Sequence, residues 1–134
     1  MAVHPDTHER VIKLQKDVEE IKEELEDQWH ERRSVYEERV SRALSGDKNA
    51  TVLYLEVDGV RSIREIDRDL ANRQARIPTM SLWRASMRLI KTGLIRKISI
   101  RANSPVYEKK PWAKALDIDS YVKTNIAQQE KSSN

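Results

Sequence analysis

Between residues 11 and 25 the apolar positions fall at Val11, Leu14, Val18, Ile21 and Leu25, alternately three and four apart, with charged residues filling most positions between them. This is the a/d seam of a heptad repeat, and it predicts a long helix over residues 6–34 whose single apolar stripe seeks a second helix. Val11, Val18 and Leu25 take the a positions and Leu14 and Ile21 the d positions, so that in a parallel pair Asp17 at g meets Lys22 at e of the other strand. Val at a favours two strands. The good register lasts only about two heptads, so the stripe serves either self-association or the packing of one amphipathic helix on its own domain. Beyond Leu25 the frame puts Gln28 and Arg32 in the seam, and the apolar line resumes four residues out of step through Trp29, Tyr36, Val40 and Ala43. Such a skip is a stutter or a break.

SGDKN at 45–49 closes the helical stretch. The next run, ATVLYLEVDG, carries two patterns: its β-branched and aromatic residues suit a strand, whereas Val52, Leu53 and Val57 behind an Asn49 cap suit a short buried helix, the preferred reading. Asp58-Gly59 turns the chain, and Ser62-Ile63-Arg64-Glu65 has the S-x-x-E form of a capping box, followed by the stripe Ile63, Ile66, Leu70 of a short helix. Pro78 suits the first turn of another helix, 79–91, where its missing N–H costs nothing. There Leu82, Ala85, Ser86, Leu89 and Ile90 form one inward face, and Ser81, Trp83, Arg84, Met87, Arg88 and Lys91 lie opposite. Gly93 supplies the stop. Ile98 and Ile100 alternate with Lys97, Ser99 and Arg101, ANSP makes a turn, and Val106-Tyr107 begins a return strand, which together predict a β-hairpin. Pro111, Trp112, Leu116 and Val122 mark a last amphipathic helix over 111–127, and 128–134 reads as a disordered tail. The fold class is mainly α with one small hairpin.

Composition narrows the partners. A chain of 134 residues supports one core and an appendage, and that core is aliphatic, because Phe is absent and 35% of residues are charged. The net charge of +3 hides an asymmetry: residues 1–47 hold 8 Lys and Arg against 13 Asp and Glu, whereas residues 61–110 hold 13 against 4. A basic domain behind an acidic helix points to a polyanion partner. The absence of Cys excludes a disulfide framework, a zinc knuckle and a thiol nucleophile. No apolar run approaches a membrane span and the N-terminus lacks a secretory apolar core, so the expectation is a soluble cytoplasmic protein with no membrane partner.

The order helix, short helix, capped helix, amphipathic helix, Gly-Leu-Ile and hairpin resembles the winged helix-turn-helix domains of small prokaryotic transcription regulators of the MarR, ArsR and PadR type. The resemblance covers residues 35–110. It rests on the capped helix ending at Leu70, the helix 79–91 as recognition helix, Thr92-Gly93-Leu94-Ile95-Arg96 as the exit into the wing, and Pro105-Val106-Tyr107 as its return strand. Two features depart from it: the linker from Ala71 to Ile77 is longer than the usual tight turn, and the dimerising helix precedes the domain, whereas PadR-type regulators carry it after.

The resemblance implies a protein of double-stranded DNA, a repressor-like regulator associated with the nucleoid, and the heptad seam Val11, Leu14, Val18, Ile21 and Leu25 would join it as a homodimer. Arg84 and Arg88, four apart on one ridge, become candidates for base-edge or phosphate contact, since a guanidinium can donate two hydrogen bonds to guanine. Thr79 and Ser81 suit phosphates at the helix start, and Lys91 extends the same face. Arg73 and Arg76 in the linker would hold flanking phosphates, and Arg101, Asn103 and Lys109 on the wing 96–109 would reach backbone or minor groove. Trp83 either packs on a sugar or thymine methyl, or covers the core or an interface. Two rival functions share most of these features, an architectural DNA-binding protein with little sequence preference and a winged-helix adaptor for proteins. No cofactor and no catalysis are expected. His4 and His8 are four apart but have no further ligand nearby other than Asp6 or Glu9, Asp67 and Asp69 face differently on a helix, and neither a phosphate loop nor a nucleophile elbow is present.

Overall fold

The structure, a computed structural model, describes residues 5–127; His4 and the tail expected at 128–134 lie outside them. Two helices open the chain, α1 (Pro5–Glu31) and α2 (Arg33–Leu44). The shift in the apolar line resolves as a break at Arg32, with φ −103° and ψ 20°. From Trp29 onward the stripe turns onto the body. Trp29 and Tyr36 pack against the core, Tyr36 stacks on Trp112 with ring centroids 4.7 Å apart, and Arg33 Nη1 donates to the Leu116 carbonyl at 2.9 Å.

The ambiguous run is a helix, α3 (Lys48–Glu56), with Ala50, Thr51, Leu53 and Tyr54 buried. Burial on several sides explains why its composition also suits a strand. Its cap is Asp47 and not Asn49: the Asp47 carboxylate accepts from the Ala50 N–H at 3.0 Å. In α4 (Ile63–Asn72) the capping box forms, Ser62 Oγ accepting from Glu65 N and Glu65 Oε1 accepting from Ser62 N, both at 3.2 Å.

The amphipathic helix α5 (Thr79–Lys91) has the expected bounds, with Pro78 just before it as the cap residue instead of within its first turn. Leu82, Ala85, Ser86 and Leu89 are buried, and the Ser86 hydroxyl is satisfied by the Leu82 carbonyl at 2.9 Å. Ile90, expected inward, is 36% exposed, because it lies on the shoulder of the stripe that those four residues centre. At the exit Gly93 takes φ 75°, its N–H bonds the Ile90 carbonyl, and Leu94 N–H reaches back to the Leu89 carbonyl at 3.0 Å. This is a Schellman motif, and its usual apolar contact is present as two buried leucines, Leu89 and Leu94.

Strands β1 (Ile95–Arg101) and β2 (Ser104–Lys109) pair antiparallel, with a register irregularity between Lys97 and Ser99. Ala102 and Asn103, at φ 51° and 63°, form the two-residue tip, a backbone that Asn tolerates well. The hairpin is fastened to α4 by a bridge from Ser62 to Val106 and by the Arg64 N–H donating to Ser104 Oγ at 3.1 Å. The single C-terminal helix expected over 111–127 is instead three short pieces, α6 (Pro111–Ala115), α7 (Ile118–Val122) and a π-helical turn (Lys123–Ala127). Leu116 and Ile118, two apart, cannot share one helical face. Asp117 in the left-handed region, at φ 50°, turns the chain so that both are buried.

Candidate nucleic-acid interface

The burial of one face of α5 fixes what its opposite face presents. Trp83, Arg84 and Lys91 are exposed, Met87 is half-buried, and near the helix start Thr79 is exposed and Ser81 half-buried. Across from them stands α2, whose own buried residues Val40, Ala43 and Leu44 turn Val35, Arg39 and Arg42 outward. The two helices enclose an open groove of about 990 Å³, in which Glu38 and Asp47 are the acidic lining residues among those described.

The cations expected to contact DNA divide into two groups. Arg84 and Lys91 make no hydrogen bond or ion pair with the described residues and face the groove. Arg76 is exposed beside Pro78 and Thr79, and Asn103 stands at the hairpin tip. Arg101 is exposed with its Nε 3.3 Å from Glu65, a surface pair that solvent screens. Arg73 is exposed but tied to Glu56.

Arg88 and Lys109 belong to the second group. Arg88 Nε donates to the Ala43 carbonyl at 2.6 Å and lies 3.7 Å from Asp47, so that it caps the C-terminal end of α2, where a cation meets unpaired carbonyls. The ridge expected from Arg84 and Arg88 is therefore split, with Arg88 fastening helices together. The Lys109 side chain is 10% exposed; its Nζ donates to Asp119 at 2.7 Å and sits 5.0 Å from the centre of the Tyr54 ring. The contact expected of Lys109 at the wing gives way to an internal pair joining β2 to α7.

Sequence reasoning missed Arg39 and Arg42, which belong to a segment of acidic average charge. Their signal was periodicity: Val35, Arg39 and Arg42 recur at i, i+4 and i+7, opposite the buried line of α2. It also missed Arg61, whose guanidinium ties Asp58, Asp69 and Glu56 together at 2.8–3.1 Å. Partial burial would raise the Asp58 carboxyl, but the N–H groups of Arg61 and Val60 and the Arg61 guanidinium outweigh it and hold Asp58 below its ordinary 3.8. The Tyr54 phenol is pushed well above its usual range, first by burial and then by the Asp119 charge.

Among the described residues no cluster of three or more His, Cys, Asp or Glu is placed to hold a metal ion, and no helix is long and apolar enough to cross a membrane. Comparison of the chain with protein-family models, curated proteins and solved structures gives no match.

Proposed function

We propose that the chain binds double-stranded DNA as a winged helix-turn-helix protein, with α4 and α5 as the helix pair, α5 in the major groove and the β1–β2 hairpin as a wing on the backbone or minor groove. The observation that carries this reading is the outward face of α5. Arg84 and Lys91 stand there exposed and without a partner among the described residues, on a helix whose other face is fixed in the core. An α-helix fits the major groove, and Arg donates to guanine O6 and N7. Thr79 and Ser81 near the N-terminus suit phosphates, and Arg76, Arg101 and Asn103 supply flanking contacts. The bridge between Ser62 and Val106 and the Schellman exit of α5 support the reading by fastening the hairpin to the two helices.

One such domain reads only a few base pairs, so the reading includes a homodimer paired through Val11, Leu14, Val18, Ile21 and Leu25, presenting two α5 helices to half-sites about 34 Å apart or a multiple of that. Its role in the cell is then that of a repressor-like regulator. The test is fluorescence anisotropy with a duplex from upstream of the coding region and a scrambled duplex, at about 50 mM and about 200 mM salt. A regulator binds the upstream duplex more tightly and weakens steeply with salt. Equal binding to both duplexes favours an architectural role, and absence of binding at the lower salt refutes the proposal.

A further inference from the structure

Two surfaces of the chain are left uncovered, and each has what the other lacks. The floor of the α2–α5 groove is apolar, with Val35 53% exposed, Trp83 59% exposed and Met87 between the helices. Its rim is basic, through Arg39, Arg84 and Lys91. An indole left open to water on this scale is unfavourable, and phosphate contacts alone give it no cover. Two such grooves cannot cover one another, because apposing them would set like charges face to face.

The second surface is α1. Its seam residues are all exposed, Leu14 at 63% and Ile21 at 56%, although Leu25 shares a shallow pocket with Pro111, Lys114 and Ala115 of α6. Residues 17–31 contain 8 Asp and Glu and one Lys. At about 100° per residue, Asp17 and Glu24 flank the seam on one side, while on the other Lys22 borders it and Glu19 and Glu26 stand farther round. The helix thus has an apolar edge bordered by carboxylates on one side and by Lys22 and then carboxylates on the other, and its strongly acidic C-terminal half is opposite in charge to the basic rim of the groove. At about 1.5 Å per residue its 27 residues are roughly twice the length of α5, so one half of α1 spans the groove. A self-paired seam of about two heptads is marginal, so a competing surface can capture the helix.

We infer that α1 of a second copy docks in the α2–α5 groove, setting Val18, Ile21 and Leu25 over Trp83 and Val35 and its flanking carboxylates against Arg39, Arg84 and Lys91. Arg84 and Lys91 are also the cations assigned above to DNA. Resting on that reading, the docked helix and a duplex exclude one another: α1 masks the reading face of the free protein, and DNA displaces it into the seam-to-seam pair.

The chain has no Cys, so cysteines can be placed singly. Ile21→Cys and Met87→Cys proteins, mixed as full chains and mildly oxidised, are expected to give a disulfide joining positions 21 and 87 in the absence of DNA, most of which is lost with saturating duplex. Glu19→Gln/Glu24→Gln/Glu26→Gln should reduce that product and tighten duplex binding about fivefold or more, as release of a competing partner requires. If Ile21→Cys joins only to itself, or if no crosslinked product forms, the docking is overturned. A 21–87 product undiminished with duplex bound overturns the competition. If no duplex binds while the 21–87 product still forms, the DNA reading fails and the docking stands.

Discussion

The helix α1 and the body that follows it obey the same spacing rule and put it to opposite uses. In the body, the stripes of α2, α3 and α5 converge so that Leu44, Leu53 and Leu89 are fully buried, whereas the equally regular stripe of α1 leaves Val11, Leu14, Val18, Ile21 and Leu25 exposed. Periodicity specifies that a helix has a face to bury, and the tertiary fold decides whether the same chain supplies the cover. The charges differ in the same way. Several body cations, Arg33, Arg61, Arg88 and Lys109, are held by carbonyls or carboxylates that the fold brings to them, while the Lys and Arg residues of α1 are exposed along its length. What remains unpaired in the body, Arg84 and Lys91 above all, is therefore more informative than a count of basic residues.

Truncating matched residues on the two sides gives the largest contrast. Leu89→Ala removes a fully buried side chain and should lower unfolding stability in urea by about 2–5 kcal/mol. Ile21→Ala should change the unfolding of dilute protein by less than about 0.5 kcal/mol, while removing any concentration dependence of the sedimentation coefficient. Equal losses would erase the distinction between a satisfied stripe and an unsatisfied one.

A smaller effect sharpens the charge comparison. Lys109→Ala leaves Asp119 without its ammonium partner in a partly buried site, and a loss of about 1.5–3 kcal/mol is expected. Lys22→Ala, on the exposed face of α1, should leave the same melt unchanged within about 0.5 kcal/mol.

The smallest effect is confined to acid. Asp58 has its folded value held below 3.8, so the stability it contributes is fully present above pH 3.8 and declines as pH falls through the lower folded value. Asp58→Asn should therefore be less stable than the wild type near neutrality, and the gap should close below pH 3.8. A gap that persists unchanged into stronger acid would show that the carboxylate charge is not what the Arg61 network uses.

Local signals were legible in the sequence. The capping box at Ser62 and Glu65, the bounds of α5 between Pro78 and Gly93, and the hairpin around Ala102-Asn103 each depend on residues within a few positions of one another, where propensity and backbone hydrogen bonding decide the outcome. The C-terminal segment was misread because Trp112, Leu116 and Val122 fit one helix, and only the need to bury Ile118 as well forces Asp117 out of it. The partners of Arg88 and Lys109 were invisible for a related reason. Ala43 lies 45 residues from Arg88, and Asp119 sits on a helix whose direction depends on that turn at Asp117. The α5 side of the site was thus readable residue by residue, and the α2 side was not, since no local pattern says which helix will lie opposite.

The most direct test of the account compares two cations that the sequence alone would treat alike, Arg84 and Lys109, in duplex binding by anisotropy at low salt, with a thermal melt of each protein alongside. Arg84→Ala is expected to lose duplex affinity by about 1–3 kcal/mol while melting as the wild type does, and Lys109→Ala to melt earlier while its folded fraction binds the duplex normally. The reverse pattern, with Arg84→Ala binding DNA normally and Lys109→Ala losing affinity while fully folded, would contradict the assignment of the outer face of α5 to DNA.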